Sequence, residues 1–292
     1  MRRIYVSLLV AIIVLTLSLS LVACNNNNDD TMPQTPSHPE GELSNEMMDK
    51  VNAIYSKASI EPQTIDTVQQ LATITSINYS RGTGPITVTP ATLDGEEITL
   101  ITLSGTEFKE GQATTIKESQ LASMGKSNDY LTAVVKLFKN NTVPRNKPII
   151  VTGISLGGMI AQQLLSQPYI MRHYDIRAVV TYGSPVTLPF NRKGVRVVRF
   201  TDVNDMVPKA GEAGIYNSGG KIEDIKAGII KADANEKILE SSKYSGAIET
   251  HALSYIEDEC WDKYDILGYT DRRHTLITTA PLTFYEAPIL TK

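Results

Sequence analysis

A serine hydroxyl becomes an effective nucleophile only when a neighbouring base can take its proton and an acid orients that base. The stretch Gly153-Ile154-Ser155-Leu156-Gly157-Gly158 offers such a serine. It follows the apolar run Pro148 to Val151 and precedes a helix-like stretch, Met159 to Ser166, the setting in which G-x-S-x-G forms a nucleophile elbow. There a buried strand ends in a turn so sharp that the serine is strained and its hydroxyl stands above the sheet. Gly153 and Gly157 are then required, since a side chain at either place would collide with nearby backbone. The plainer reading is a strand-to-helix turn whose serine caps the helix.

Candidate bases are few, because the chain holds 4 histidines. In the architecture that carries this elbow the order along the chain is serine, acid, histidine. His38 and His173 therefore fall on the wrong side of any acid, leaving His251 and His274. His251 opens His-Ala-Leu-Ser-Tyr-Ile, which can anchor against a domain, whereas His274 follows Asp271-Arg272-Arg273 and is expected to be solvated. His251 is the expected base and His274 the alternative. For the acid, Asp202 and Asp205 both lie just beyond the strand-like stretch Val195 to Phe200, where catalytic residues of open α/β sheets gather. Position alone leaves the two open, and either could merely cap a turn.

The elements that must carry these residues can be read from periodicity. Asn45 to Ala58, Ile65 to Ile77, Asp129 to Lys139 and Met159 to Ser166 read as helices. Ile86 to Val88, Glu97 to Leu103, Ile149 to Val151, Ala178 to Tyr182 and Val195 to Phe200 read as strands, with a turn at Leu93-Asp94-Gly95. Several strands are continuous apolar runs rather than in-out alternations. An α/β-hydrolase fold follows, with a mostly parallel central sheet and helices on both faces. Between Asp205 and His251, Gly211 to Thr250 carries Ile222, Ile225 and Ile229 on one possible helical face. It reads either as a cover over an acyl pocket or as a helix packed on the sheet.

With these residues in view, the chain resembles the class 3 lipases of the α/β-hydrolase superfamily over about 97 to 256. Gly153 to Gly158 is similar to that family's nucleophile motif, with Ile154 where histidine is commonest. Thr181-Tyr182-Gly183-Ser184-Pro185 resembles its next-strand motif, Asn204-Asp205-Met206-Val207-Pro208 the segment around its aspartate, and His251 with Tyr255 its histidine segment. Ser104-Gly105-Thr106 is similar to its oxyanion-hole turn, without the usual polar residue before it. The resemblance implies a Ser155, Asp205, His251 triad, so that Asp205 rather than Asp202 is the acid. It implies an oxyanion held by the backbone N–H groups of Leu156 and Thr106, and a serine-dependent carboxylic ester hydrolase acting on an acyl ester or lipid through an acyl-enzyme. Acyl transfer or peptide hydrolysis with the same residues stays open, as does a non-catalytic binding lipoprotein on the same fold. Residues 257–292 lie outside the resemblance.

Two segments precede this domain. Met1-Arg2-Arg3 and the apolar stretch Ile4 to Ala23 read as an export signal, with an uncleaved membrane-spanning anchor as the alternative its length allows, and Leu21-Val22-Ala23-Cys24 resembles the lipobox of bacterial lipoproteins. The expectation is a signal peptide over 1–23, a lipidated Cys24 opening a tether over 24–44, and one α/β-hydrolase domain over 45–292. Such a chain is membrane-anchored and extracytoplasmic in a bacterial cell envelope, with the outer membrane and the cell surface both open. Lipid on Cys24 leaves Cys260 without a disulfide partner, as a packed thiol. The net charge of −4 and the lack of a basic stripe argue against nucleic acid. No cofactor is called for, and no metal-ligand spacing such as H-E-x-x-H occurs.

Overall fold

A computed structural model describes residues 45–77, 84–107, 111–187, 192–210 and 236–290. The signal stretch, Cys24 and tether, and the Ile222, Ile225 and Ile229 stretch lie outside the described residues. The backbone of the fold is a run of parallel strands: β3 (Glu96–Leu103), β4 (Ile149–Ile154), β5 (Ile176–Tyr182), β6 (Arg196–Asp202) and β7 (Glu236–Leu239), paired in that order. β2 (Ile86–Leu93) joins β3 as an antiparallel hairpin. Its turn is made by Asp94 at φ 50° and Gly95 at φ 87°, the left-handed pair that a two-residue hairpin demands. β1 (Thr64–Ile65), β8 (Leu276–Thr278) and β9 (Phe284–Tyr285) complete the sheet on the β2 side, in the order β1-β8-β2-β3-β4-β5-β6-β7 with β9 also on β2.

Neighbouring residues of each central strand enter opposite cores, which is why several of those strands read as nearly continuous apolar runs. Val151, Val179 and Val197 meet one core with α3 (Ile116–Ser123), α4 (Asp129–Lys139), α5 (Leu156–Leu164) and α6 (Pro168–His173). Ile150, Val180, Val198 and Phe200 meet the other, where Tyr55 of α1 (Asn45–Lys57), Leu71 and Ile74 of α2 (Val68–Ser76), and Trp261 pack. Helices therefore cover both faces of a mostly parallel sheet, an α/β-hydrolase fold. Among the described residues no helix is long and apolar enough to cross a membrane.

The structure departs from the sequence reading in several places. Thr64–Ile65 is strand, and the second helix starts only after Thr67, whose side chain accepts from the Gln70 N–H while Gln70 reaches back to the Thr67 N–H. This capping box is the physical start signal. β2 runs on through Pro90, whose carbonyl accepts from the Thr279 N–H. Glu236–Leu239, within the segment read as cover or helix, is a strand on β6. The C-terminal stretch is part of the sheet: Leu276–Thr278 pairs with both β1 and β2, and Gln112 bridges to Pro288.

After β7 the chain forms α7, made of Ala247–Glu249, a π-helical turn Thr250–Ser254 and Tyr255–Glu257. Lys50 of α1 pairs with Glu257 at 2.8 Å and donates to Tyr244 at 2.9 Å, and the Tyr244 hydroxyl donates to Glu257 at 2.5 Å. Asp258 accepts from the Ser241 hydroxyl and from the N–H groups of Cys260 and Lys243. Burial pushes both carboxyls upward, but these donors outweigh it and hold each below the ordinary carboxylate range. A carboxyl depressed by folding stabilises fully above its unfolded pKa, and that contribution is lost as pH falls through the folded value. The melting temperature should therefore drop as pH is lowered from about 5 to about 2, and Glu257→Gln should flatten the drop. A pH-independent melting temperature over that range would contradict the assignment.

Candidate active site

Ser155 stands between β4 and α5 at φ 54°, ψ −122°. The other non-glycine residues with positive φ are an aspartate and an asparagine, types that tolerate it, so among the described residues Ser155 is the strained one. Its side chain makes no cap bond to α5, which removes the reading as a capping serine. Glycine is needed around it on steric grounds. A Cβ on Gly157 would lie 2.5 Å from the Leu103 carbonyl carbon and nearer still to the Leu103 oxygen. One on Gly153 would lie 2.6 Å from the Gly158 nitrogen, and one on Gly158, unremarked in the sequence, 2.5 Å from the Ser184 Cβ.

Asp205 is fully buried beyond the end of β6. Its Oδ2 pairs with His251 Nδ1 at 2.8 Å and also accepts from the Tyr255 hydroxyl at 2.8 Å, while its Oδ1 accepts from the Val207 N–H at 2.9 Å. The Tyr255 oxygen in turn accepts from the Asp202 N–H at 2.9 Å, tying α7 to the end of β6. Burial, followed by the charge of Asp205, holds the Tyr255 hydroxyl protonated well above its ordinary range, so it acts as a donor. This use of Tyr255 goes beyond what the sequence reading assigned to it. The signal was its spacing of four from His251, which puts the two on one helical face.

Ser155 and the Asp205–His251 pair meet at one short segment. The Ser155 N–H donates to the Tyr182 carbonyl at 2.9 Å. The next residue, Gly183, has φ +53°, and a Cβ there would lie 2.6 Å from Asp205 Oδ2, 2.9 Å from His251 Nδ1 and 2.9 Å from Tyr255 Cε2. Gly183 thus has two reasons to be glycine, and the imidazole reaches the strand end beside the serine because no side chain is in the way. With Nδ1 committed to Asp205, Nε2 is the ring nitrogen left for a hydroxyl. The His251 side chain is 16% exposed and Ser155 is 5% exposed, which suits a site open to a substrate but shielded from bulk water.

The alternatives fall elsewhere. Asp202 is buried and accepts from the Ser254 hydroxyl at 2.5 Å and from the N–H groups of Asn204 and Ser241. Burial raises its pKa despite these donors, and its oxygens are occupied in fastening α7 and the loop after β7. His274, expected to be solvated, is instead 18% exposed and paired through Nδ1 with the fully buried Asp265, with Asp94 3.9 Å from Nε2. Asp94 lies in the β2–β3 turn, at the opposite end of the strands from Ser155. The local polarity of Asp271-Arg272-Arg273 concealed a partner nine residues earlier.

Leu156 is the first residue of α5, so its N–H is one of those that a helix leaves without an internal acceptor. Thr106 follows β3 as a buried residue, its hydroxyl 2.8 Å from that of Ser119 in α3. Cys260 is free and half-buried, and burial beside Asp258 pushes its thiol up, away from reactivity. Among the described residues no group of His, Cys, Asp and Glu could hold a metal ion.

Residues 113–227 match the family described as the PGAP1-like alpha/beta domain, a stretch that contains Ser155 and Asp205 but not His251. No curated protein matches the chain. Among solved structures the chain is similar to the Lip2 lipase of Yarrowia lipolytica, with 13% identity over 57% of this chain and 76% of that one at a TM-score of 0.26. It is likewise similar to a lipase of Rhizomucor miehei in complex with its propeptide, with 11% identity over 92% and 86% at a TM-score of 0.28. A fungal lipase in complex with an inhibitor gives 12% identity over 82% and 87% at a TM-score of 0.30. At such scores these likenesses carry no argument, and the functional reading rests on the side chains themselves.

Proposed function

We propose that the protein is a serine-dependent carboxylic ester hydrolase of the lipase or esterase kind, resembling the class 3 lipases and tethered to a bacterial envelope membrane through lipidated Cys24. The observation that carries the reading is a strained Ser155 at a strand end, beside a segment packed directly against the pair of buried Asp205 and half-buried His251. In this mechanism His251 Nε2 takes the proton as Ser155 Oγ attacks the ester carbonyl. The N–H groups of Leu156 and Thr106 hold the oxyanion. Collapse of the tetrahedral intermediate breaks the bond to the alcohol, which leaves with the proton from His251. Water, deprotonated by His251, then attacks the acyl-enzyme, and the proton returns to Ser155. Asp205, kept in place by Tyr255 and the Val207 N–H, fixes the tautomer and supports the imidazolium.

Incubation with short acyl esters, lipid esters and peptides, with and without added alcohol, tests the reaction class. Release of free acid from esters is expected. Predominant transfer to the alcohol, or cleavage of peptides alone, would replace the reading with one of the alternatives. Asp205→Asn should lower kcat on a short ester by about 10,000-fold, because the wrong imidazole tautomer then faces the serine. Asp202→Asn and His274→Ala should leave kcat within about threefold wherever the protein still folds. Equal losses in Asp202→Asn and Asp205→Asn would contradict the assignment of the acid.

A further inference from the structure

The charges at the two sides of the sheet are handled differently. Near the starts of β3 to β5, cations meet carboxylates as well as rings: Arg177 pairs with Glu96 at 2.7 Å and Asp175 at 3.0 Å, and Lys147 with Glu97 at 3.0 Å, while Arg145 lies over the Tyr174 ring at 5.8 Å. Around β6, β7 and the loop after Trp261, cations meet mostly rings. Arg196 and Arg272 lie over the Tyr269 ring at 3.4 and 4.3 Å, and Lys237 and Lys263 over the Tyr264 ring at 5.6 and 5.2 Å. Arg273 joins them, donating to the carbonyls of Asp262 and Lys263. Lys263, Arg272 and Arg273 are exposed, Arg196 and Lys237 half-buried. Among the described residues, the ion pair within this cluster joins Arg272 to Asp271 at 3.6 Å, and Asp262 and Asp94, the latter accepting from the Thr275 N–H, are further exposed carboxylates beside it. In a chain of net charge −4 this is a local concentration of positive charge whose members are held by aromatic faces and so keep their field outward.

We propose that this cluster is a docking surface for the headgroups of an anionic phospholipid bilayer. The cations are spread over an exposed loop and the start of β6 rather than converging on a cavity, an arrangement suited to a sheet of many charges more than to a single ion. The half-buried rings of Tyr264 and Tyr269 between them give the amphipathic, cation-flanked character of interfacial anchors. Only the nearness of a bilayer draws on the tether proposed above: some 20 residues separate Cys24 from α1, a reach of at most about 70 Å. The patch itself is independent of the chemistry proposed for Ser155. Its placement has a consequence for that chemistry, however. Arg196 pairs with Ala178, which pairs with Ile150, whereas Ser155 follows Ile154, so Arg196 and the serine are about 16 Å apart along the strands, while Lys237, paired with Phe200, starts level with Ile154. Docked through Arg196 and Arg272, which share the Tyr269 ring, the domain turns its catalytic end away from the bilayer that holds it, toward substrate arriving from the other side.

Backbone hydrogen exchange on the full chain reconstituted in vesicles tests this. Over residues 262–275 exchange should be slower in phosphatidylglycerol vesicles than in phosphatidylcholine vesicles, and 0.5 M salt should remove the difference. Each cation should favour the docked state by roughly fivefold, so Lys263→Gln/Arg272→Gln/Arg273→Gln should reduce it by about 100-fold while labelling of Ser155 by a fluorophosphonate is retained. The comparison between the two lipids stands even if that variant fails to fold. Equal exchange in both lipids, protection of the segments around Ser155 and His251 instead, or the same protection by soluble polyphosphate in place of anionic lipid would overturn the proposal.

Discussion

Replacing Ser155 by alanine should lower turnover of a short acyl ester by about 10,000-fold or more while leaving the melting temperature within a few degrees of the parent. The size of the loss follows from the chemistry: without the hydroxyl there is no acyl-enzyme, and what remains is the oxyanion site and binding alone. The lack of a stability loss follows from the structure, since the Ser155 side chain makes no bond to the helix it precedes. Relief of a positive-φ strain is not expected to help, because alanine is no more at ease there than serine. Turnover retained at more than about a tenth of the parent rate would mean that the elbow is only a tight turn.

Gly157→Ala should have the largest effect on the fold, about 4 kcal/mol or more, read as failure to accumulate as folded protein or as a collapsed denaturant midpoint. The added carbon would overlap the Leu103 and Ser104 carbonyl groups, which are backbone at the end of β3 and cannot turn aside as a side chain could. Retreat of Leu103 would undo its pairing with Gly153, the residue that in turn presses on Gly157. Gly246→Ala is the control: at φ −76°, with no neighbour nearer than 3.5 Å to the added carbon, it should shift stability by no more than about 0.5 kcal/mol. Similar stability for the two variants would contradict the steric account of the elbow.

Much of this arrangement was legible in the sequence because its causes are local. Asp129 to Lys139 could be bounded because Asn128 accepts from the Leu131 N–H at its start and Asn140 lies just past its end. The strands on either side of the elbow could be found because burial on both faces forces nearly continuous apolar runs. What could not be read depends on distant partners. β8 and β9 have three and two residues, too few for periodicity, and exist because β2 offers them an edge. β7 is half-buried, four residues long and half polar, and it is a strand only because β6 leaves it a place. The choice between Asp202 and Asp205 could not follow from position either, since it turns on which carboxylate meets His251 and which meets Ser254 across some fifty residues. Gly183 shows the same limit: its necessity comes from three side chains, none of them near it in sequence.

The central claim is that His251, supported by Asp205, activates Ser155, and covalent labelling of the full chain by a fluorophosphonate, with the adduct located by mass spectrometry, tests it most directly. One adduct on Ser155 is expected, slowed by at least about a thousandfold in His251→Ala and unaltered in His274→Ala. No adduct, an adduct on another serine, or labelling of Ser155 undiminished in His251→Ala would contradict it.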